Sequence, residues 1–240
     1  LPELPGSSGR RAGIPVDVAR TVEALLDDAE AAALSIGYQT AWFALHRRTQ
    51  IAEGDYLLVH AAAGGVGSAA VQLGKAAGAQ VIGVVGGPEK ALYAKELGAD
   101  LVVDRRSEDF VSAVKEFTGG HGADIVFDPV GGDLAEPAFR SIAWGGRYLV
   151  IGFAGGDIPR LPLNLPLLKG ASIVGVFWGD FARREPAANA AMMQTLATWY
   201  AQGKSKPVID RQMPMSELKA AYARMGSREV MGKLVLVNEA

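Results

Sequence analysis

The chain has 240 residues, and 49% of them are apolar, which suits one sizeable α/β domain or one domain with part of another. Its formal net charge of -2 argues against nucleic acid as a partner, because binding to a phosphate backbone needs a concentrated basic face. The absence of cysteine excludes disulfides, thiolate zinc ligands and cysteine nucleophiles. No signal-peptide pattern and no bilayer-spanning apolar run of roughly 20 residues is present, so we expect a cytoplasmic protein without a membrane partner.

Residues 1–26 include a stretch rich in proline, glycine and serine, which predicts a linker or the remnant of a preceding domain. The helical pattern that overlaps and follows it predicts two helices, one over residues 18–34 and one over residues 36–48. Six short apolar runs come next, at residues 56–60, 80–85, 101–103, 124–130, 147–153 and 172–177. These runs are apolar on both faces, as expected for strands that helices cover on both sides, and they alternate with helical or glycine-rich connections. The pattern predicts an α/β fold with a doubly wound parallel sheet of six strands.

The remaining pattern predicts four further elements. They are a helix over residues 187–201, a short strand over 206–210, a helix over 215–225 and a closing strand over 232–237.

The connection after the first predicted strand is HAAAGGVGSAAVQ, residues 60–72. Ala62, Gly64 and Gly67 stand at the spacing of the dinucleotide fingerprint G-x-G-x-x-G, with alanine in the first position. Small residues allow a tight turn and let backbone N–H groups approach a pyrophosphate, while a helix that begins near Val66 directs its positive dipole end at the anion. The alternative is a glycine turn that only joins a strand to a helix. The place of the motif after the first of six alternating strands favours a Rossmann-type dinucleotide site.

The end of the second predicted strand, Val84 to Gly87, lacks the carboxylate that binds the adenine ribose in NAD sites. Lys90 follows directly, and Arg105 and Arg106 come after the third strand, so that cations surround the place of a 2′-phosphate. Since a hydrogen bond to a charged group contributes about 1.5–3 kcal/mol, the pattern favours NADPH over NADH. The alternative is that these cations are ordinary surface charges.

Longer motifs make a family resemblance specific. HAAAGGVG, FDPVGGDL, AWGGRYLVIGFAGGDIPRLPLN, LLKG and GVFWGDF resemble the zinc-independent NADPH:quinone oxidoreductases, the zeta-crystallin-like members of the medium-chain dehydrogenase/reductase superfamily. The resemblance implies an NADPH-binding Rossmann domain with its leading helices over residues 27–205. It also implies a carboxyl segment over residues 206–240 that returns to an amino-terminal GroES-like domain, most of which is absent because only some 55 residues precede the first strand.

The activity that the resemblance implies is hydride transfer from NADPH to a quinone or to an activated alkene or carbonyl, without zinc. The position before Gly37, where zinc-dependent relatives have a cysteine ligand, is Ile36. Two alternatives remain, an NADPH-binding protein with little or no turnover and an enoyl reductase module of a larger synthase. Relatives pair the strand at residues 172–177 across a twofold axis, which implies a homodimer unless that strand is capped by its own chain.

The resemblance implies cofactor-binding residues but identifies neither a catalytic residue nor a metal ligand. Ala63 and the segment Gly64, Gly65, Val66 and Gly67 match the pyrophosphate loop, and Lys90 matches a basic residue that holds the 2′-phosphate. Arg105 stands where several relatives have a tyrosine, so a charge replaces a stacking and hydroxyl contact and binding of the 2′-phosphate is expected to survive. The other matched residues are Thr40, Phe153, Ala154, Val176 and Phe177 near the nicotinamide, and Arg228 near the adenine phosphate. For this last group, ordinary packing, a helix hydroxyl or a solvated charge is the alternative.

Overall fold

A computed structural model describes residues 26–238, which form a six-stranded parallel sheet, a two-stranded parallel sheet and the helices around them. The strands are β1 (Tyr56–His60), β2 (Gln80–Val85), β3 (Leu101–Asp104), β4 (Ala123–Asp128), β5 (Ile142–Val150), β6 (Ser172–Gly175), β7 (Ile209–Pro214) and β8 (Lys233–Val237). The helices are α1 (Asp28–Trp42), α2 (Gly67–Ala76), α3 (Pro88–Glu96), α4 (Phe110–Phe117), α5 (Ala135–Arg140), α6 (Asn164–Lys169), α7 (Trp178–Arg184), α8 (Pro186–Ala201) and α9 (Leu218–Gly226).

The large sheet has the strand order β3-β2-β1-β4-β5-β6, which confirms the predicted Rossmann-type fold. β1 pairs in parallel with β2 on one side and with β4 on the other. The connections therefore run outward in opposite directions on either side of β1 and β4. A crevice forms at the carboxyl ends of these two strands, where ligands bind in open α/β sheets.

Alternate residues along each strand point to two separate apolar cores. Val59 of β1 and Phe127 of β4 belong to the core under α1, α2 and α8, whereas Leu58 and Val126 belong to the core under α4 and α5. All four side chains are fully buried, which agrees with strands that are covered on both faces.

The predicted pair of leading helices is wrong within the described residues. α1 runs through residues 34–36 without a break and passes into a π-helical segment, Phe43–Arg48. Gly37 resembles a helix breaker in the sequence but lies inside α1, because its missing side chain allows the helix to pack on the glycine loop. The first part of the predicted helix, residues 18–25, and nearly all of the predicted linker 1–26 lie outside the described residues.

Several strand boundaries also differ from the prediction, among them the carboxyl end of β4, which is Asp128 rather than residue 130. β5 begins at Ile142, well before residue 147, since an irregular pairing with β4 allows the Gly-Gly pair at 145–146 to stay in the strand. β6 ends at Gly175 rather than at residue 177, because α7 begins at Trp178. The strand predicted over 206–210 lies instead at β7, where it pairs with β8.

The segment that carries β7 and β8 is docked on the nucleotide-binding half. Gly232 donates its backbone N–H to the carbonyl of Ala63 over 2.8 Å, and Gly232 also forms a parallel bridge with Gly64. Ala29 and Ala33 of α1 pack against Val235 of β8. The residues just before β8 therefore contact the glycine loop directly.

None of the helices between residues 26 and 238 is long and apolar enough to cross a membrane.

Candidate functional site

The glycine loop joins β1 to α2 at the carboxyl edge of the sheet. Ala61 has a left-handed backbone, with φ of 51°, and its carbonyl accepts a 2.8 Å hydrogen bond from the N–H of Gly64. A Cβ at residue 67 would overlap this same carbonyl oxygen, so the position accepts only glycine without a shift of the loop. Val66 precedes the first turn of α2, which therefore begins as the sequence predicts.

Helix α1 lies directly on this loop. A Cβ at Gly37 would stand 2.6 Å from the carbonyl oxygen of Gly65, closer than any real contact, so the two backbones touch because residue 37 has no side chain. Thr40 follows Gly37 by three residues on the same helix, which places it on the same face, one turn further along. Thr40 therefore lies on the side of α1 that faces the glycine loop, and its role at the nicotinamide stays a prediction.

Lys233 is a site residue that the sequence reasoning missed. Its side chain crosses the glycine loop, since a Cβ at Gly65 would meet its Cδ and Cε atoms at 2.9 Å, and its Cε also approaches Gly37. Burial lowers the pKa of Lys233. No residue that the structure describes accepts a hydrogen bond from its ammonium group. The result is a half-buried cation beside bare backbone, with no partner among residues 26–238, which is a favourable environment for an anion.

A second cationic group lies where β2 and β3 end. Arg105 donates its backbone N–H to the carbonyl of Val85, which brings the two strand ends together. The guanidinium groups of Arg105 and Arg106 lie over Gly86, where a Cβ would stand 3.5–3.7 Å from their nitrogen atoms. Glycine at the end of β2 leaves the room that these two long side chains occupy.

Asp104 shapes this turn rather than binding a ribose. Its carboxylate accepts backbone N–H groups from Gly87 at 2.8 Å and from Arg106 at 3.0 Å, and these hydrogen bonds lower its pKa. The end of β2 and the turn after it, residues 84–88, have no carboxylate of their own, and that of Asp104 is already bonded. The end of β2 therefore has no carboxylate free to bind a ribose.

Lys90 completes this cationic group from the first turns of α3. Its ammonium donates a 2.5 Å hydrogen bond to the carbonyl of Arg228, whose backbone is left-handed with φ of 60°. Burial, followed by the charge of Arg106, lowers the pKa of Lys90. An anion here would relieve that repulsion, so Lys90, Arg105 and Arg106 form one cationic group that suits a phosphate. The side chain of Arg228 is exposed, and it is the backbone of this residue that contacts Lys90.

The residues predicted near the nicotinamide lie at the carboxyl ends of β5 and β6. Phe153 is 40% exposed, and Ala154 donates its N–H to the carbonyl of Pro129. Val176 is buried and donates its N–H to the carbonyl of Val150, whereas the ring of Phe177 is 75% exposed.

The structure brings Phe177 into a groove of about 420 Å³ beside Phe43 and Arg48, at the outer edge of β6. Its side chain therefore faces a different space from that of Val176.

His60 ends β1 beneath the loop and is fully buried. Its ring meets the ring of Phe110 edge to face at 5.2 Å, and neither nitrogen has a hydrogen-bond partner within residues 26–238. Burial lowers its pKa to about 4, the nearby Asp128 opposes that shift and Arg105 adds to it. The ring is therefore packed and neutral, and it is not placed to act as a general base.

The described part of the chain offers no metal site. Nowhere in residues 26–238 do three His, Asp or Glu side chains come together in a group that could hold an ion, and the sequence has no cysteine. Residues 26–238 therefore do not fit a bound zinc ion.

These groups lie in an order along one edge of the sheet. The cationic group at β2 and β3 is at one end, the glycine loop with Lys233 is in the middle, and Phe153 and Val176 are at the other end. An elongated ligand with an anionic group at one end, a diphosphate at its centre and an apolar ring at the other end matches this order.

Comparisons with known proteins agree with that arrangement. The family model described as Zinc-binding dehydrogenase matches residues 65–197. The quinone oxidoreductase-like protein 2 homolog of Nematostella vectensis is 33% identical over 233 residues, which cover 96% of this chain and 64% of that protein. The crystal structure of a quinone oxidoreductase from Pseudomonas syringae is 32% identical with a TM-score of 0.82, covering 88% of this chain and 65% of that one.

A mycobacterial protein solved in complex with NADPH is 26% identical with a TM-score of 0.83, again covering 88% of this chain and 65% of that one. The chain spans 59–64% of the length of the quinone oxidoreductase-like relatives that it matches. The chain belongs to the zinc-binding dehydrogenase family, as a quinone oxidoreductase-like member of the medium-chain dehydrogenase/reductase superfamily.

Proposed function

We propose that this chain binds NADPH and serves an oxidoreductase that reduces quinones or activated alkenes and carbonyls without zinc. One observation carries the proposal. The glycine loop lies at the crevice by the carboxyl ends of β1 and β4, and a cationic group lies beside it at the ends of β2 and β3. An NAD site has a free carboxylate in the place of this cationic group, and here the carboxylate of Asp104 is already bonded.

The phosphates would be held mainly by backbone and by lysine. At the start of α2, Ser68 donates its N–H to the carbonyl of Gly64 at 2.8 Å, whereas the N–H of Gly67 has no acceptor among the described residues, and the helix dipole favours an anion at this end. Lys233 adds a formal charge over Gly65, and its pKa, which burial lowers, would be restored by a neighbouring diphosphate.

Selection of NADPH over NADH is assigned to Lys90 and Arg105. A 2′-phosphate near Gly86 would accept charged hydrogen bonds of about 1.5–3 kcal/mol each, which corresponds to roughly tenfold to more than a hundredfold in affinity. NADH would leave both cations without an anion and would gain none of this free energy.

When bound, the reduced nicotinamide supplies the hydride for the acceptor. The residues of this chain would hold and orient that ring: Thr40 from α1 and Val176 from the end of β6, with the ring of Phe153 excluding water from the reacting face. We assign no catalytic side chain and derive no proton donor among the described residues.

The test is NADPH and NADH oxidation by the 240-residue chain in parallel, with an ortho-quinone as acceptor and an enoyl thioester as the alternative acceptor. The Kd of each cofactor is also measured by direct titration, because binding, unlike turnover, does not require the whole active site of the longer relatives. We expect a lower Kd for NADPH than for NADH. Lys90→Ala and Arg105→Ala should each weaken NADPH at least tenfold and leave NADH within twofold.

Lys95→Ala is the matched control, since Lys95 is an exposed lysine of the same helix α3. Equal affinity for both cofactors in the parent chain would contradict the assignment of the cationic group. Binding of NADPH without turnover would favour the interpretation as a binding protein, and turnover only with the enoyl thioester would favour the enoyl reductase.

We further propose a homodimer through the edge of β6. Exposed apolar side chains surround this strand, among them Trp144, Ile158, Leu163, Leu167 and Ile173. Clustered exposure of this kind is typical of a protein interface rather than of a free surface. Arg48 donates to the carbonyl of Gly175, so the end of the strand is already covered and pairing would use its beginning.

A further inference from the structure

A buried carboxylate lies behind the predicted nicotinamide side of the site. Asp128 ends β4 and is only 2% exposed. Its Oδ1 atom accepts the backbone N–H groups of Val130 at 2.8 Å and Gly131 at 3.0 Å, and its Oδ2 atom accepts the hydroxyl hydrogen of Tyr148. Both carboxylate oxygens are therefore bonded, one to the turn after β4 and the other to β5.

The direction of the Tyr148 hydrogen bond follows from its surroundings. Burial, and then the negative charge of Asp128, raises the pKa of Tyr148, so the phenol keeps its proton and donates it to the carboxylate. Removing the carboxylate would leave this buried hydroxyl and two backbone N–H groups without their acceptor, which is costly for buried polar groups.

The turn that Asp128 fixes is also the support for the loop after β5. Ala154 donates its N–H to the carbonyl of Pro129 at 3.0 Å, and Gly155 donates to the carbonyl of Val130 at 2.8 Å. The ring of Phe153 rests against Gly131, since a Cβ there would come within 2.8 Å of the ring carbon Cδ1.

Packing of side chains does not hold Phe153 by itself. Its ring is partly exposed, and it borders a cavity of about 210 Å³ that Tyr148, Val150, Ile158 and Leu161 also line. A side chain beside a cavity has few contacts to oppose its movement. Its position therefore depends on the hydrogen-bonded turn below it.

We infer that Asp128 is a positioning residue, which holds the Phe153 loop in the place that the nicotinamide half of the cofactor requires. The inference rests on the proposed function, because it takes Phe153 as a nicotinamide contact. The adenine half has its own residues at β2 and β3 and does not depend on this turn. Disturbing Asp128 should accordingly separate the two halves of the cofactor.

The experiment measures the Kd of NADPH and of 2′,5′-ADP, an adenine-half probe, on the 240-residue chain. Asp128→Ala should raise the Kd of NADPH about tenfold and change the emission of bound NADPH, which reports the surroundings of the nicotinamide, while the Kd of 2′,5′-ADP stays within twofold. Asp128→Asn should recover most of the NADPH affinity, because its amide oxygen still accepts from the turn. Tyr148→Phe should raise the Kd of NADPH about threefold, and it replaces Asp128→Ala if that variant does not fold.

Asp124→Ala is the matched control. Asp124 lies on the same strand and also accepts a backbone N–H, that of Tyr56 at 2.9 Å, but it is at the amino end of β4. We expect this variant to leave both Kd values unchanged.

An equal loss of NADPH and 2′,5′-ADP, or an unchanged Kd of NADPH in folded Asp128→Ala or Tyr148→Phe, would overturn the inference alone. A parent chain that binds neither probe would overturn the proposed function, and this inference with it.

Discussion

Replacing Lys233 by methionine should change cofactor affinity and stability in opposite directions. The aliphatic part of the Lys233 side chain crosses Gly65, the residue is half-buried, and no described residue accepts a hydrogen bond from its ammonium, so in the free protein the charge loses part of its hydration without a compensating contact. Methionine has a similar length and no charge. We expect the free energy of unfolding to rise by between zero and about 2 kcal/mol, the range for relieving a buried polar group without a partner.

Affinity should fall, because the same ammonium is the formal charge nearest the proposed diphosphate. Losing a hydrogen bond between charged groups costs about 1.5–3 kcal/mol, which raises the Kd of NADPH roughly tenfold to more than a hundredfold. The affinity for NADH should fall by the same factor as the affinity for NADPH, since both cofactors have the diphosphate. Isothermal titration of both cofactors measures this effect, and chemical denaturation without cofactor measures the change in stability.

The pH dependence gives an independent check on the same residue. Because burial lowers the pKa of Lys233 from 10.5, the folded chain binds fewer protons than the unfolded chain between the folded pKa and 10.5. The loss of folding stability caused by the buried charge is fully present at neutral pH and disappears as the pH rises from the folded pKa to 10.5. The stability that Lys233→Met gains over the parent chain should therefore shrink in this pH range. Tight NADPH binding by Lys233→Met, or a clear loss of stability at neutral pH, would refute the reasoning.

Three further predictions follow from the fold. Gly67→Ala should abolish measurable NADPH binding by titration, because its Cβ would overlap the carbonyl of Ala61, and retained affinity would contradict the described loop. Ile173→Asp should convert a dimer into a monomer in light scattering at micromolar concentration, and a parent chain that is already monomeric would remove the proposed interface. Stability should fall by about 3 kcal/mol from pH 6.5 to 4 through His60, since its folded pKa of about 4 means that the unfolded state takes up this proton first. In chemical denaturation, His60→Asn should remove this part of the pH dependence and leave the part that half-buried His46 contributes, whose pKa burial also lowers to about 4; an unchanged profile would contradict the assignment to His60.

The sequence predicts well those features that depend on neighbouring residues. The strands at 56–60 and 80–85 have the predicted bounds, and the glycine spacing at 64–67 places the loop between β1 and α2. Each depends on a local pattern of apolar residues or small residues, which can be identified before any tertiary contact is known.

The features that the sequence does not predict depend on distant contacts. Gly37 stays inside α1 because it touches Gly65, and Lys233 reaches the same loop from the last described strand. Asp128 looks like part of a continuous apolar strand, and only its pairing with Tyr148 of the neighbouring strand gives it a role. In the sequence, Lys233 is simply a lysine near the start of a predicted strand, and no local pattern connects it to a phosphate.

The contact between the glycine loop and Gly232 also bears on the order in which the protein folds. Gly64 and Gly232 are separated by more than two thirds of the chain, so this bridge closes a very long loop. Contacts of such high sequence separation form slowly and late, after the sheet has been assembled locally. We therefore expect the nucleotide loop to reach its final shape only when β8 docks, and amide exchange in β8 to slow when a nucleotide binds.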